Sequence, residues 1–180
     1  VIMVTGAAGS IGSEIVRQII AFNPKLVLMI DQAETPLHHL SLEIMKLHSN
    51  IEVISLIANI CNKEAMLHIF EKYNPNVIFH AAAYKHVPIL EHQLRVAVCN
   101  NVRGTQTIAE AAVAIGVEKF ILISSDKAVN PTNVMGMTKR IAEIYCQNLN
   151  ARVATEFITV RFGNVLGSMG SVVPLFQKQL

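Results

Sequence analysis

A glycine-rich turn between an apolar run and an amphipathic helix is the feature that most constrains how this chain folds. The turn reads Thr5-Gly-Ala-Ala-Gly-Ser-Ile-Gly12 and follows the apolar run Val1-Ile-Met-Val4. Gly6 permits a tight turn, Gly9 lets the backbone approach a ligand, and Gly12 lets the helix pack closely on a sheet. Isoleucine then recurs every four residues, which predicts an amphipathic helix. Because the N-terminus of that helix faces the turn, the unit predicts a site for a dinucleotide pyrophosphate, with a purely structural turn as the alternative.

Apolar runs alternate with helical patterns along the rest of the chain. Strands are predicted over residues 1–5, 26–30, 51–56, 77–80, 117–124 and 155–161, and helices after the glycine turn and over 35–47, 62–73, 89–115 and 134–149. The strands are continuously apolar, which is typical of strands covered on both faces. Hydrophobic residues make up 52% of the chain and charged residues 16%, which excludes a disordered chain. Strands and helices in series predict an α/β, Rossmann-type, doubly wound parallel sheet with helices on both faces.

The glycine-rich end of the chain departs from this alternation. We expect a dinucleotide-binding domain over residues 1–163 and the beginning of a small C-terminal substrate-binding lobe over 164–180. The chain stops inside a helix-like stretch, so we expect it to be a piece of a longer protein.

Charge and composition argue against several classes of protein. The net charge is +2 with the signs interspersed, so there is no basic stripe for nucleic acid. No apolar run approaches the roughly 20 residues that cross a bilayer, and we expect no signal peptide or membrane segment in this stretch. Three widely spaced cysteines are typical of a reduced, cytoplasmic protein. His80, His86 and His92 recur every six residues and share no common face, so we expect no metal site.

Asp31 ends the second predicted strand and is the main indication of which cofactor binds. A carboxylate there accepts hydrogen bonds from the adenosine ribose hydroxyls and repels a 2′-phosphate. No Arg or Lys lies between Asp31 and Lys46, so we expect NAD, with NADP as the alternative cofactor and a turn cap as the alternative role of Asp31. The cofactor-binding residues expected from these patterns follow the first four strands. They are Gly6, Gly9, Ser10, Ile11 and Gly12 in the turn after the first strand, Asp31 at the end of the second, Asn59 and Ile60 after the third, and Ala81, Ala82 and Ala83 after the fourth.

Motifs in the middle and second half of the chain resemble a known family. His80-Ala-Ala-Ala83, Asn100-Asn-Val-Arg-Gly-Thr105 and Ser124-Ser-Asp-Lys127 resemble the extended short-chain dehydrogenases/reductases. Asp126-Lys-Ala-Val-Asn-Pro-Thr132 and Val160-Arg-Phe-Gly-Asn-Val-Leu-Gly-Ser168 resemble one branch of them, the polysaccharide-biosynthesis group of UDP-N-acetylglucosamine 4,6-dehydratases. The resemblance covers essentially the whole chain. It implies a lyase that makes a UDP-4-keto-6-deoxy sugar through transient hydride transfer to NAD(P), in the synthesis of bacterial surface polysaccharide.

The resemblance also implies a catalytic set, which consists of Ser125, Asp126, Lys127, Met135 and Lys139. Lys127 is the better candidate for removing the C5 proton, and Asp126 for protonating the departing C6 hydroxyl. Either one is a candidate for the C4 hydroxyl proton, and the sequence leaves the division of these duties open. The alternative is that Asp126 caps a turn and pairs with Lys127 at the surface.

The tyrosine of the family's Y-x-x-x-K pattern is replaced here. Met135 stands at its position in Met135-Gly-Met-Thr-Lys139, and a thioether cannot deprotonate an alcohol. Some members of the dehydratase branch carry methionine at this position, so another residue must act in the tyrosine's place. The resemblance implies that Lys139 binds the nicotinamide ribose and that Asn101 also belongs to the cofactor site. An exposed helix lysine is the alternative for Lys139.

A UDP-sugar is the substrate that the resemblance implies, with Lys85, His86, Asn164, Ser171 and Val172 as candidate contacts. Family members often pair through helices, so we expect a homo-oligomer. We expect a cytoplasmic protein, or one at the cytoplasmic face of the inner membrane if the full chain carries an N-terminal membrane region. Two alternatives remain: a nucleotide-sugar 4-epimerase, against which Met135 argues, and a non-catalytic NAD-binding module.

Overall fold

A computed structural model describes residues 1–47, 51–163 and 165. Its centre is a six-stranded parallel sheet with the strand order β3-β2-β1-β4-β5-β6. The strands are β1 (Ile2–Thr5), β2 (Leu26–Asp31), β3 (Glu52–Ile57), β4 (Val77–His80), β5 (Lys119–Ile123) and β6 (Glu156–Val160). The order reverses between β1 and β4, and ligands of open α/β sheets bind beyond the carboxyl ends of the strands at such a point. The predicted Rossmann-type doubly wound sheet is confirmed.

Helices cover both faces of this sheet. The described α-helices are α1 (Ser10–Ile20), α2 (Glu34–Leu47), α3 (Lys63–Tyr73), α4 (Val87–Glu91), α5 (Leu94–Val98), α6 (Thr105–Ile115) and α7 (Val134–Asn150). A π-helical turn (Cys99–Gly104) joins α5 to α6, and a 3₁₀ turn (Asp126–Ala128) follows β5. Within the described ranges, every helix is too short or too polar to cross a membrane.

The two faces of the sheet carry separate hydrophobic cores because side chains alternate along each strand. Met3 of β1 packs into one core and its neighbour Val4 into the other. The first core includes residues of α3, α6 and α7, with Phe70 among its fully buried side chains. The second includes residues of α1 and α2, among them Ile20 and Ile44. Burial of each large side chain stabilises the fold by about 1.5–3 kcal/mol.

The prediction that the strands are covered on both faces holds for β2 and is wrong for β3. Residues Leu26–Ile30 of β2 are all buried, whereas those of β3 are half-buried or exposed, and Ile57 is 62% exposed. β3 is an edge strand that pairs with β2. Fewer neighbours therefore cover it, and its sequence includes Glu52 and Ser55 among the apolar residues.

The segment predicted as mostly helical over residues 89–115 is helical but divided into pieces. The backbone leaves the helical region at Gln93, where φ is −134°, and so separates α4 from α5. The π-helical turn then precedes α6. Because a π-helical turn winds more residues into each turn than an α-helix does, it changes which side chains point toward the sheet. Residues 100 and 101 therefore cannot be placed from an α-helical pattern.

Candidate active site

The glycine turn lies at the carboxyl end of β1, against the segment that follows β4. Gly6 adopts a left-handed conformation with φ +69°, and a Cβ there would lie 2.5 Å from the backbone nitrogen of Ala82. A Cβ on Gly12 would collide with the carbonyl of Gly6. Gly9 is the N-cap residue of α1 and has no side chain to cap it. The turn is therefore tight, and Gly9 leaves the start of α1 accessible to an anion.

Asp31 links this turn to the next helix through both carboxylate oxygens. Oδ2 accepts a hydrogen bond from the Ala8 backbone N–H (2.9 Å) and Oδ1 one from the Ala33 N–H (3.0 Å). The alternative role as a turn cap is thus observed, and it does not exclude ligand binding, because Asp31 also lines a cavity of about 310 Å³. We call this the β1–β2 cavity. Its wall also includes Gly6, Gln32, Ile60, Ala82 and Asn100.

Two further cavities adjoin the β1–β2 cavity along the carboxyl edge of the sheet. The α4 cavity, of about 620 Å³, is lined by Ser10, Ile11 and Gly12 of the first helix and by Leu90 of α4. The β4–β5 cavity, of about 250 Å³, is lined by Ser125, Lys127, Met135, Lys139 and Phe162. All three cavities share Ala81 and Ala83. They therefore form one groove, which joins the glycine turn to the residues that the sequence predicts as catalytic.

Asn59 and Ile60 lie differently toward this groove. Ile60 is buried and lines the β1–β2 cavity. The exposed Asn59 side chain accepts a hydrogen bond from the Cys61 backbone N–H (2.9 Å) and is absent from the walls of the described cavities. Its position favours a turn-forming role over the predicted cofactor contact.

Asn101 is buried below the groove, and its amide is fully hydrogen-bonded. Its Oδ1 accepts the Tyr84 backbone N–H (2.8 Å), and its Nδ2 donates to the Tyr84 carbonyl (3.0 Å) and to the Thr138 hydroxyl (3.0 Å). The neighbouring Asn100 lines the β1–β2 cavity instead. The structure thus favours Asn100 as the residue beside a cofactor and gives Asn101 the role of holding the loop after β4 against α7.

The turn after β5 brings Ser125, Asp126 and Lys127 together through their own contacts. The Ser125 hydroxyl donates to Asp126 Oδ1 (2.9 Å), and Lys127 Nζ lies 3.3 Å from the same oxygen. The Ser125 hydroxyl and the Lys127 ammonium hold the pKa of the Asp126 carboxyl below its usual range. Lys127 lines the β4–β5 cavity. Asp126 is exposed at the rim of that cavity, and its carboxylate is linked to the cavity wall by the ion pair with Lys127.

Lys139 and Met135 lie one turn apart on α7 and both line the β4–β5 cavity. Lys139 is buried, so the alternative of an exposed helix lysine does not apply, and its Nζ donates to the Ile123 carbonyl (2.6 Å). Burial lowers the pKa of Lys139 to about 8, against the opposing effect of the Glu143 carboxylate. Met135 is also buried and packs with Leu90 and Ala97.

The first turn of α7 packs directly on the turn that carries Lys127. A Cβ on Gly136 would collide with the Lys127 carbonyl, so only glycine permits this approach. Asn133 caps the helix, because its Oδ1 accepts the Gly136 N–H at 2.8 Å. The position of Lys127 relative to Lys139 is therefore set by the start of α7.

Residues 2–180 match the family described as polysaccharide biosynthesis protein. The chain belongs to this polysaccharide biosynthesis family. The resemblance to the polysaccharide-biosynthesis branch of the extended short-chain dehydrogenases/reductases, inferred from the motifs, is confirmed.

Members of the polysaccharide biosynthesis family and a solved structure match nearly the whole chain. It is 51% identical over 180 residues to the probable polysaccharide biosynthesis protein EpsC of Bacillus subtilis, covering 99% of this chain and 30% of EpsC. It is 30% identical to an inverting UDP-N-acetylglucosamine 4,6-dehydratase of Campylobacter jejuni, covering 98% of this chain and 52% of that protein. The structure of Pen from Bacillus thuringiensis is similar, with a TM-score of 0.90 at 35% identity, covering 99% of this chain and 55% of Pen. The chain thus spans at most 55% of each of these proteins.

In this family member the candidate substrate residues are only partly described. Lys85 and His86 line both the α4 and β4–β5 cavities. Asn164, Ser171 and Val172 lie outside the described residues. Among the described residues, no group of three or more His, Cys, Asp or Glu side chains is arranged to hold a metal ion.

Several cavity-lining residues were missed by the sequence analysis. They are Gln32, Tyr84, Asn100, Phe162 and Gly163. Gln32 Nε2 donates to the Tyr84 hydroxyl (2.9 Å), which joins the segments after β2 and β4. Phe162 and Gly163 directly follow a predicted strand, and that position could have indicated that they lie at the ligand-binding edge of the sheet. The contact between Gln32 and Tyr84 spans 52 positions and left no local pattern.

Proposed function

We propose that this chain is the cofactor-binding and catalytic part of a nucleotide-sugar 4,6-dehydratase, a lyase that acts on UDP-N-acetylglucosamine in bacterial surface polysaccharide synthesis. The observation that carries the proposal is the convergence of Ser125, Lys127, Met135 and Lys139 on one cavity that continues into the groove at the glycine turn. Similarity to the Campylobacter jejuni dehydratase over 98% of this chain also supports it.

NAD is the cofactor that the groove favours. The tight turn at Gly6, the uncapped start of α1 and the carboxylate of Asp31 suit the pyrophosphate and the ribose of a dinucleotide. The described wall of the β1–β2 cavity contains neither Arg nor Lys to pair with the 2′-phosphate of NADP. NAD bound in this groove would supply the hydride acceptor for C4 of the sugar and the hydride donor for C6. Ile60, Ala81, Ala82 and Ala83 then form apolar walls along the cofactor.

Lys139 holds the nicotinamide ribose in this proposal. Its Nζ donates to the Ile123 carbonyl, which holds the amine at the end of β5, in the wall of the β4–β5 cavity. With a pKa of about 8 it carries a positive charge at neutral pH. That charge favours ionisation of an alcohol nearby.

Asp126 and Lys127 supply the acid and the base. In the free protein they form an ion pair with 3.3 Å between Lys127 Nζ and Asp126 Oδ1. Transfer of one proton along this contact gives a neutral amine and a carboxylic acid, and a hexose that excludes water from the pair favours that neutral form. The Lys127 amine then removes the C5 proton, and Asp126 protonates the C6 oxygen, which leaves as water. Because Met135 cannot take the C4 hydroxyl proton, the Lys127 amine takes it first and passes it to solvent before it removes the C5 proton. The Lys127 ammonium then returns that proton to C5 as hydride reaches C6.

The wider organisation follows from the same proposal. In this proposal residues 1–163 form the cofactor-binding domain, and Lys85 and His86 contact the UDP-sugar. The substrate-binding lobe expected over 164–180 lies, apart from residue 165, outside the described residues. The three cysteines are unpaired thiols, which suits a reducing cytoplasm. Helix α7 exposes three apolar residues, which are Met137, Ile141 and Ile144. Their exposure fits pairing with a second copy of the chain.

The test is to incubate the full-length protein with UDP-N-acetylglucosamine deuterated at C4 and follow the product by mass spectrometry and NMR. We expect the loss of one water and retention of deuterium at C6. Lys127→Ala should reduce turnover by about 10²-fold or more while NAD still binds. Lys119→Ala, which removes a surface lysine paired with Glu156, is the control and should leave turnover unchanged.

Other outcomes would overturn the proposal. A product of unchanged mass with inverted C4 would make the protein a 4-epimerase. Binding of NAD without any product would favour a non-catalytic NAD-binding module.

A further inference from the structure

Glu143 is a buried carboxylate on α7 that none of the sequence motifs singled out. It is fully buried, and both of its oxygens are bonded to the guanidinium of Arg161, at 2.8 Å for Nε to Oε1 and 2.6 Å for Nη2 to Oε2. Arg140 Nη1 also donates to Oε2 at 3.2 Å. Such a two-pronged pair fixes the relative orientation of its partners as well as their distance.

Arg161 connects this carboxylate to the wall of the β4–β5 cavity. It directly follows β6, and the next two residues, Phe162 and Gly163, line that cavity. The Phe162 carbonyl accepts the Asp126 backbone N–H at 3.1 Å. The pair therefore holds in place the segment that positions the turn carrying Asp126 and Lys127.

Glu143 also lies one helical turn from Lys139, on the same face of α7. Burial pushes the pKa of the Glu143 carboxyl upward, but hydrogen bonds from Arg161, with smaller contributions from the nearby Ser124 hydroxyl and from Arg140, outweigh it and leave the pKa below its usual value. The carboxylate is therefore charged at neutral pH and opposes the loss of the proton from buried Lys139. The other titratable groups that face Lys139 are His80 on β4, Cys146 on α7 and Lys127 across the cavity.

Stability alone does not account for such a group. Glu143 is fully buried, whereas the Arg161 side chain is 35% exposed. Burying the carboxylate costs free energy that an apolar residue of similar volume would avoid, so its presence suggests a demand for geometry or charge. Here both demands exist, since the pair joins the helix of Lys139 to the wall that faces Lys127.

We propose that Glu143 is a positioning residue, which fixes the cavity wall through Arg161 and keeps Lys139 in its protonated form. The expected effect of Glu143 on turnover rests on the proposed function. Its test reads the titration of Lys139 directly, so it is decided separately from dehydratase activity.

The experiment uses the full-length protein with 13C-labelled lysine and follows the Cε resonance of Lys139 by NMR across pH. Lys139→Arg assigns the resonance. In Glu143→Gln we expect Lys139 to titrate about one pH unit lower than in the wild type, because a neighbouring opposite charge is lost. Glu43→Gln is the matched control, since Arg17 and Glu43 form a similar two-pronged pair at the surface. It should leave the titration unchanged.

Glu143→Asp separates charge from reach. It keeps the negative charge but is too short for both bonds to Arg161, so Lys139 should titrate as in the wild type while kcat falls and NAD affinity is retained. An unchanged titration in Glu143→Gln, or unchanged kcat in Glu143→Asp of an active enzyme, would overturn the proposal. If Glu143→Gln does not fold, the titration of Lys139 in Glu143→Asp still tests the role of the charge, because a titration that shifts there would also overturn the proposal.

Discussion

His80 is a buried side chain whose tautomer is fixed by hydroxyl groups on both sides of its ring. Its Nδ1 lies 2.6 Å from the Thr5 hydroxyl and its Nε2 3.0 Å from the Thr105 hydroxyl. The Thr105 hydroxyl donates to the Asn101 carbonyl, so Nε2 must carry the proton and donate to Thr105, while Nδ1 accepts from Thr5. Burial, with a smaller contribution from the charge of Lys139, lowers the pKa of His80 to about 3.

This depressed pKa predicts a loss of stability in acid. The unfolded chain binds a proton at His80 below about pH 6.5, whereas the folded chain binds it only near pH 3. The free energy of unfolding should therefore fall as the pH drops from about 6.5 to about 3, by roughly 1.4 kcal/mol per pH unit from this residue. Urea unfolding at each pH measures it.

A substitution isolates the contribution of His80 to that slope. His80→Gln should be less stable than the wild type at pH 7, because hydrogen bonds are lost, but should lose less stability on acidification. The exposed His38 is the control, and His38→Gln should keep the wild-type slope. Equal slopes in all three proteins would mean that His80 is not buried in its neutral form.

The start of helix α7 places Lys127 and Lys139 relative to each other. Asn133 caps this helix, and Gly136 in its first turn touches the turn of Lys127. Asn62 caps α3 in the same way, by accepting the Ala65 N–H at 3.1 Å, but it is absent from the described walls of the groove. The chain thus offers two equivalent caps, of which one adjoins the site.

Removal of each cap separates stability from site geometry. Asn133→Ala and Asn62→Ala should each lower the free energy of unfolding by about 1 kcal/mol in urea titrations. Only Asn133→Ala should also reduce kcat, because the contact between α7 and the Lys127 turn loosens. Equal loss of turnover in both variants would assign the effect to stability alone.

At the scale of the whole molecule, the described surface leaves one helix face apolar. Met137, Ile141 and Ile144 of α7 are between 44% and 48% exposed and recur at helical spacing. Ile89 and Leu94 of the α4–α5 segment are exposed as well, and α7 contacts both α4 and α5. An apolar surface of this kind suits a second copy of the chain.

Ile141→Glu should therefore convert an oligomer to monomers, as measured by sedimentation velocity. A charge in the centre of an apolar interface is left without a partner, which opposes association. Phe22 is the control, because it is 82% exposed and lies just after α1, outside the α7 face. Phe22→Glu should leave the oligomer intact. A monomeric wild-type protein would refute the expected pairing.

Much of the fold and part of the site were predictable from local patterns. The glycine turn, four of the strand-and-helix units and the place of Lys127 at the sheet edge follow from short motifs and periodicity, whereas the family resemblance implied that Lys139 belongs to the site. The division of residues 89–115 was not predictable, because a π-helical turn depends on its packing against α6 and α7. The same turn decides that Asn100 lines the β1–β2 cavity, whereas the resemblance implied Asn101 as the cofactor residue.

The order of strands and helices and the tight turn at Gly6 follow from local sequence, because each depends on residues a few positions apart. The family's Y-x-x-x-K pattern adds that Met135 stands where the family has tyrosine. Tertiary structure alone decided the contacts between distant segments. It brought Cys61 Sγ to 3.3 Å from the Cys99 carbonyl, paired Glu143 with Arg161, and left Asp126 at the cavity rim. Such contacts depend on how strands align in the sheet and how helices pack on it, and no spacing along the chain encodes them.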